Sequence, residues 1–254
     1  MATTLQGIFV EDNVRAPQIV ARRKPAFPRT EQAGFAGTPE VELLKSDKDI
    51  VSGYISEEEA LRDDPVFKYC INPPAAMLAQ KTVVDQALQV DHGHSVAVFS
   101  PPADPDGSPK PAEHWLVRVL GPVMKYSASP QQRRRIEEMT KKIRAAELEY
   151  LGDKDKYFAL ELLATHPKYQ GRGYGSALLK ALAWMADEAE RPTWLVSSNI
   201  VNKAFYESFG YQAVAEIILG DEDPDHTEKP IVTLLMIRQP EKAAPVDEKA
   251  AVRL

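Results

Sequence analysis

The chain is nearly without cysteine. Cys70 stands alone, which rules out an intramolecular disulfide and a cysteine-rich metal site. It falls in the apolar stretch Val66-Phe67-Lys68-Tyr69-Cys70, where a thiol reads as buried filler ahead of a nucleophile. Long hydrophobic runs are missing too, so no membrane-spanning helix and no membrane partner are expected. Positive charge is not in excess either. A net charge of −6 over 254 residues argues against a protein that neutralises a nucleic-acid backbone, but not against an anionic cofactor held by backbone N–H groups. The first residues lack the charged-then-apolar pattern of a secretory signal. Glu11 and Asp12 weaken a transit-peptide reading of Arg15, Arg22, Arg23 and Lys24, so a cytoplasmic address is expected. Internal repeats are absent as well. His92-x-His94 has the spacing of a metal pair on a strand, but no further ligand cluster accompanies it, and no metal is expected.

What is present is organised around one block. Residues 1–38 form a Pro- and Arg-containing arm without sustained periodicity, and 240–254 look similar. Both are expected to be poorly ordered, flanking a single domain over 39–239. Within it, a short strand is expected at Val41 to Leu44, helical material from Glu57 to Tyr69 with Pro65 opening or breaking a turn, and a helix from Ala75 to Leu88. His94 to Ser100 and His114 to Leu120 read as strands of one hairpin across a proline-rich loop. Gln131 to Tyr150 is a charged helix whose stripe is Ile136, Met139, Ile143 and Leu148. Its run Arg133-Arg134-Arg135 reads first as a solvated face and second as a contact for an anion. Trp115, Trp184 and Trp194 read as core or pocket wall.

From Tyr157 the patterns sharpen. Tyr157 to Ala164 is a short apolar run broken only by Glu161 and reads as a buried strand. A glycine-rich run follows, then a helix from Gly175 to Glu190 with a broad apolar face. Next come a strand over Thr193 to Val196, a short helix closed by Gly210, and two final strands, Tyr211 to Leu219 and Ile231 to Ile237. Strand, glycine-rich turn and helix in that order make a phosphate site, because glycines let an anion approach the first N–H groups of the helix. Two familiar phosphate loops do not fit. A Walker loop requires Gly-Lys-Ser/Thr, but Gly175 is followed by Ser176-Ala177. The dinucleotide fingerprint requires a third glycine where Ser176 and Leu178 stand.

The run Gln170-Gly171-Arg172-Gly173-Tyr174-Gly175 instead resembles the Gln/Arg-x-x-Gly-x-Gly/Ala signature of the Gcn5-related N-acetyltransferase (GNAT) family. Its flanks agree. Leu162-Leu163-Ala164-Thr165-His166-Pro167 is similar to the family's fourth strand and its exit. Asn199, Ala204, Tyr206, Phe209, Gly210 and Tyr211 resemble its Asn…Tyr-x-x-x-Gly-aromatic segment, with Asn202 departing where many members carry alanine. Asp63-Asp64-Pro65-Val66-Phe67 is similar to an acceptor-side helix of fungal-type and antibiotic-inactivating members. The resemblance implies an α/β fold, a mixed, mostly antiparallel, twisted sheet flanked by helices. It also implies acetyl-CoA as cosubstrate, a small-molecule primary amine as acceptor, and direct transfer in a ternary complex. A protein or peptide amine, or a catalytically silent acyl-CoA-binding module, stands as the alternative. The acceptor, the acyl chain and the oligomeric state are left open.

Acetyl transfer from a thioester to an amine requires a deprotonated amine, a stabilised oxyanion and a proton for the departing thiolate. Glu161 is the candidate base: strand alternation puts it on a face with Ala159 and Leu163, where apolar neighbours would desolvate it. The resemblance makes Tyr206 the general acid. It assigns the cofactor's arm to backbone around Leu163, Ala164 and Thr165, and to Asn199, which reads equally as a helix cap. The pyrophosphate falls to the run from Gln170 to Ser176, with Arg172 either adding charge or lying in solvent. The helix from 131 to 150 is expected to form a lid over an acceptor pocket.

Overall fold

The apolar face that runs through Leu178, Leu179, Leu182 and Met185 becomes the helix on which one side of the sheet is packed. The computed structural model describes residues 39–70, 87–103 and 129–241. The amino-terminal arm, most of the helix expected from Ala75, the strand expected at His114 to Leu120 with Trp115, and nearly all of the final tail lie outside these residues.

The described chain runs β1 (Glu42–Leu43), α1 (Asp47–Leu61), α2 (Pro65–Cys70), β2 (Ala87–Val90), β3 (Ser95–Ser100), α3 (Pro130–Tyr150), β4 (Phe158–Thr165), α4 (Tyr174–Glu188), β5 (Thr193–Ser197), α5 (Lys203–Glu207), β6 (Gln212–Leu219) and β7 (Ile231–Arg238). The strands form one seven-stranded sheet in the order β1-β2-β3-β4-β5-β7-β6. Every pairing is antiparallel except that between β4 and β5. The expected mixed, mostly antiparallel sheet flanked by helices is therefore what the chain forms.

Side-chain alternation sorts the core onto two faces. On β7, Leu234 and Met236 join α4 in one cluster, while Leu235 joins α2, α3 and β6 in the other. Trp184 packs against the first cluster and Trp194 against the second. Burying each large aliphatic side chain here contributes roughly 1.5–3 kcal/mol.

Several boundaries differ from expectation for local reasons. The first helix starts at Asp47, ten residues before Glu57, with Asp47 and Asp49 in the first turn, where negative charge favours the helix dipole. Pro65 opens α2, since a proline at the first helical position forfeits no internal hydrogen bond. Ala87 and Leu88, expected to end a helix, lie in β2, where ladder partners on both sides outweigh local propensity. β3 pairs with β2 and β4 rather than only with a following hairpin strand. On α3, Ser129 and Gln132 form a capping box, and Ile136, Met139 and Ile143 pack inward. Leu148 is exposed, because one residue of drift at helical spacing turns it away and leaves Ala146 buried.

Candidate active site

The cleft exists because β4 and β5 part company. Their parallel ladder covers Phe158↔Thr193, Ala159↔Trp194 and Leu160↔Leu195 and stops there. From Glu161 onward β4 keeps β3 on one edge, and its other edge has no strand partner among the described residues. Backbone polar groups along that edge are obligatory hydrogen-bonding groups facing a cleft of about 800 Å³. Leu163, Ala164 and Thr165 line it, where the sequence analysis put the cofactor's arm.

A bulge in β4 aims its side chains. Val98 pairs with Leu162 and Phe99 with Leu160, so Glu161 is the extra residue. Glu161 and Leu162 therefore follow one another on one side of the sheet. Leu163 pairs with Ala97 and packs into the α4-side core. This corrects the expected face: Glu161 shares a side with Ala159 but not with Leu163. It also removes the premise of desolvation, since Glu161 is exposed at the cleft and accepts a hydrogen bond from Ser100 Oγ.

At one end, the glycine run turns the chain from β4 into α4. Gly171 (φ 74°) and Gly173 (φ 79°) are left-handed, and Gly173 caps α4. A Cβ at either would meet nothing within 4 Å, so backbone conformation rather than space demands glycine at these two positions. At Gly175 a Cβ would touch Phe205 and Thr165 at 3.6 Å, an ordinary contact. The first N–H groups of α4 thus open onto the cleft with the helix dipole behind them. Gln170 lines the cleft but donates its Nε2 hydrogen to Thr165 O at 3.1 Å, tying the loop to the end of β4. Arg172 does not line the cleft; its guanidinium stands over the Tyr169 ring at 5.0 Å.

The opposite end is acidic. Asp63, Asp64 and Glu161 line the cleft, and no lysine, arginine or histidine does so among the described residues. Asp64 is buried. Its Oδ1 accepts from the Val66 and Phe67 N–H groups at 3.0 and 3.2 Å, and its Oδ2 from Ser198 Oγ at 2.6 Å. Between the two ends lies Tyr206, 9% exposed and wedged edge-on between Phe205 and Tyr211. Burial holds its phenol well above the ordinary value, and Tyr211 and Asp64 add to the shift. Asn199 also borders the cleft, with Oδ1 accepting from Val201 N at 3.1 Å as a helix cap.

Residues 136–213 match the family model described as "Acetyltransferase (GNAT) domain". Over that segment the chain is similar to GNAT acetyltransferases. Solved structures agree in fold. The arylalkylamine N-acetyltransferase 2 of Aedes aegypti is 13% identical, with 80% of this chain and 99% of that one covered and a TM-score of 0.57. The polyamine N-acetyltransferase of Drosophila melanogaster, which catalyses formation of N-acetylagmatine, is 12% identical, covering 79% and 100%, with a TM-score of 0.54. A histone acetyltransferase HPA2 and related acetyltransferase of Corynebacterium glutamicum is 20% identical, covering 82% and 99%, with a TM-score of 0.51. No curated protein matches the chain in a sequence search.

The cleft contains residues to which sequence reasoning assigned no role of their own. Asp64 was legible only within Asp63–Phe67, the segment similar to an acceptor-side helix, with no role of its own, and its burial against Ser198 comes from a contact spanning 134 residues. Tyr169 also lines the cleft, stacked on His94 at 3.8 Å between ring centroids. Other features leave the site. His92 and His94 sit on the β2–β3 turn, not a strand, where His92 Nδ1 is 3.5 Å from Asp49 and His94 Nδ1 is 3.1 Å from Asp91. Arg134 and Arg135 are not merely solvated: they pair with Asp225 and Asp223 at 2.7 and 2.6 Å, fixing α3 to the β6–β7 turn. α3 packs on α2, β6 and β7 and contributes no residue to the cleft wall, so it is not a lid among the described residues. Cys70 is buried in the second core, and burial pushes its thiol up to about 12, which suits filler rather than a nucleophile.

Proposed function

We propose that this acetyltransferase moves an acetyl group from acetyl-CoA to the primary amine of a small, cationic molecule by direct attack in a ternary complex. The observation that carries the reading is the polarity of the cleft. One end offers a helix N-terminus and a glycine loop, and the other offers three carboxylates, of which Asp63 pairs with Lys68 outside the cleft wall while Asp64 and Glu161 have no basic partner lining the cleft among the described residues. An anionic cofactor suits the first end and an ammonium group the second.

Acetyl-CoA would supply an activated acyl group and a thiolate as leaving group. The N–H groups of Gly171 to Ser176 would receive its pyrophosphate. The unpaired edge of β4 at Leu163, Ala164 and Thr165 would take the amides of its arm and the acetyl carbonyl. Asn199 Oδ1 is committed to the helix cap, so the amide nitrogen is the atom it would offer. Asp64, held by three donors, is suited to keeping a negative charge in a fixed place for the incoming ammonium. Glu161, with water access and one hydroxyl partner, is suited to accepting the amine proton and passing it to solvent. Tyr206, a phenol and so protonated at neutral pH, is the proton donor to the thiolate. The polyamine and arylalkylamine substrates named for two structures of like fold are cationic amines of this kind.

The test is release of free thiol from acetyl-CoA in the presence of polyamines, arylalkylamines, neutral anilines and a lysine peptide. Release is expected with the cationic small amines and not with the anilines. Preference for the peptide would move the acceptor to a protein. Acetyl-CoA binding without thiol release from any amine would overturn the enzymatic reading of the cleft.

A further inference from the structure

Within the glycine loop only Arg172 packs, over the Tyr169 ring at its upstream end. A side chain at Gly171 or Gly173 would touch nothing, so the loop's conformation must be set by its ends. Upstream, Gln170 is tied to Thr165 O. Downstream, Tyr174, the first residue of α4, donates its hydroxyl to Asp91 Oδ2 at 2.8 Å. The same oxygen faces His94 Nδ1 at 3.1 Å, and the His94 ring lies on Tyr169, just before the loop, at an interplanar angle of 12°. One carboxylate oxygen therefore contacts the anchor on each side of the loop.

That carboxylate is itself held firmly. Asp91, His92 and Gly93 are consecutive left-handed residues (φ 53°, 55° and 82°), a conformation that a non-glycine residue adopts only when its surroundings dictate it. The surroundings are α1 and β4. A Cβ on Gly93 would stand 2.4 Å from Asp49 O and 2.7 Å from Gly53 N, so the turn and α1 are in backbone contact. Ser56 Oγ donates to Gly93 O at 2.8 Å, and His166 N donates to His94 O at 3.0 Å.

We infer that Asp91, presented by this turn, is a positioning residue for the cofactor. It fixes Tyr174 and the His94–Tyr169 stack so that the amides of the glycine loop are arranged before the pyrophosphate arrives. The inference rests on the reading of the glycine loop as the pyrophosphate site. Preorganised donors save the ordering cost on binding, so losing Asp91 is expected to appear in acetyl-CoA affinity and not in the chemical step.

The experiment is a double-mutant cycle of Asp91→Asn and Tyr174→Phe in the full chain. It is read by calorimetric titration of the cofactor-free protein with acetyl-CoA, by steady-state kinetics, and by hydrogen exchange of the 168–178 segment. Each single change is expected to weaken acetyl-CoA binding by about 10- to 20-fold, the lower end of what one hydrogen bond to a charged group contributes. The double variant should be no worse than the weaker single, because both remove one interaction. Exchange in the segment should accelerate, while kcat and the KM for the amine stay within about twofold. Tyr174→Phe removes one hydroxyl and keeps the ring, so it remains readable if Asp91→Asn folds poorly. Unchanged acetyl-CoA affinity, additive losses, or a fall in kcat at unchanged affinity would overturn the inference and leave the cleft reading intact. Wild-type protein that binds no acetyl-CoA would overturn the cleft reading itself, and this inference with it.

Discussion

At the end of the cleft proposed for the cofactor the polar groups are backbone amides, displayed by left-handed glycines and by a β4 edge without a strand partner among the described residues. At the end proposed for the acceptor they are side chains, Asp63, Asp64 and Glu161, brought from α2's approach and from a bulged strand. The two ends differ in what a sequence can say about them. A backbone-built site needs particular residues in a contiguous order, so it leaves a motif. A side-chain-built site needs only that separate segments meet. The matched family model reflects this: it covers 136–213, which includes Glu161, the loop and Tyr206 but not Asp64.

The comparison can be broken most severely at the junction of the two ends. Tyr206→Phe is expected to lower kcat by about 100- to 1000-fold, the scale of lost proton donation, with acetyl-CoA affinity little changed. A wild-type rate in that variant sinks the assignment. Next, Asp64→Asn keeps an oxygen to cap α2 but removes the charge. It should reduce kcat/KM for a cationic amine about 100-fold, as expected for losing one partner of a buried charge pair, and leave calorimetric acetyl-CoA binding unaltered. Equal losses toward cationic and neutral acceptors would show that the charge is not what Asp64 contributes. Glu161→Gln should cost kcat about 10-fold with the KM for acetyl-CoA unchanged; a wild-type kcat would remove Glu161 from the proton path.

At the backbone end, Gly173→Ala imposes a left-handed conformation on a residue with a Cβ, at roughly 1–2 kcal/mol. The KM for acetyl-CoA should rise about 10-fold with kcat nearly constant; a drop in kcat alone would mean that the loop serves the chemistry and not the binding. The smallest effect lies away from both ends. Hydrogen bonds from Arg135 and Lys142 hold the carboxyl groups of Asp223 and Asp221 below the usual range. Such groups favour the folded state above the ordinary carboxylate pKa, and that contribution disappears as pH falls through their lowered folded values. Stability to urea should therefore decline below about pH 4, and Asp223→Asn should flatten the slope; an unchanged slope would mean that this network does not govern acid stability.

How much of this was legible beforehand depended on the range of the interaction. β4, α4 and the glycine run followed from periodicity and contiguous spacing, because helix and strand periods and left-handed turns are local properties; the fold class and the choice of Tyr206 came from the resemblance to the GNAT family. Glu161 was found as a residue but misjudged as desolvated, since a bulge arises from the register with β3 and shifts every later side chain of β4 to the other face. Leu148 and the β2 residues Ala87 and Leu88 were misassigned for related reasons, one to helical drift and the others to ladder pairing.

The sequence by itself determined where a backbone could open onto an anion, because glycine and a following helix suffice to specify that. Only the tertiary structure decided what faces the opening. The end of the β4–β5 ladder, the burial of Asp64 beneath Ser198, and the carboxylate of Asp91 on Tyr174 each join residues far apart in the chain. Such contacts are set by the packing of the whole sheet, and no local pattern encodes them.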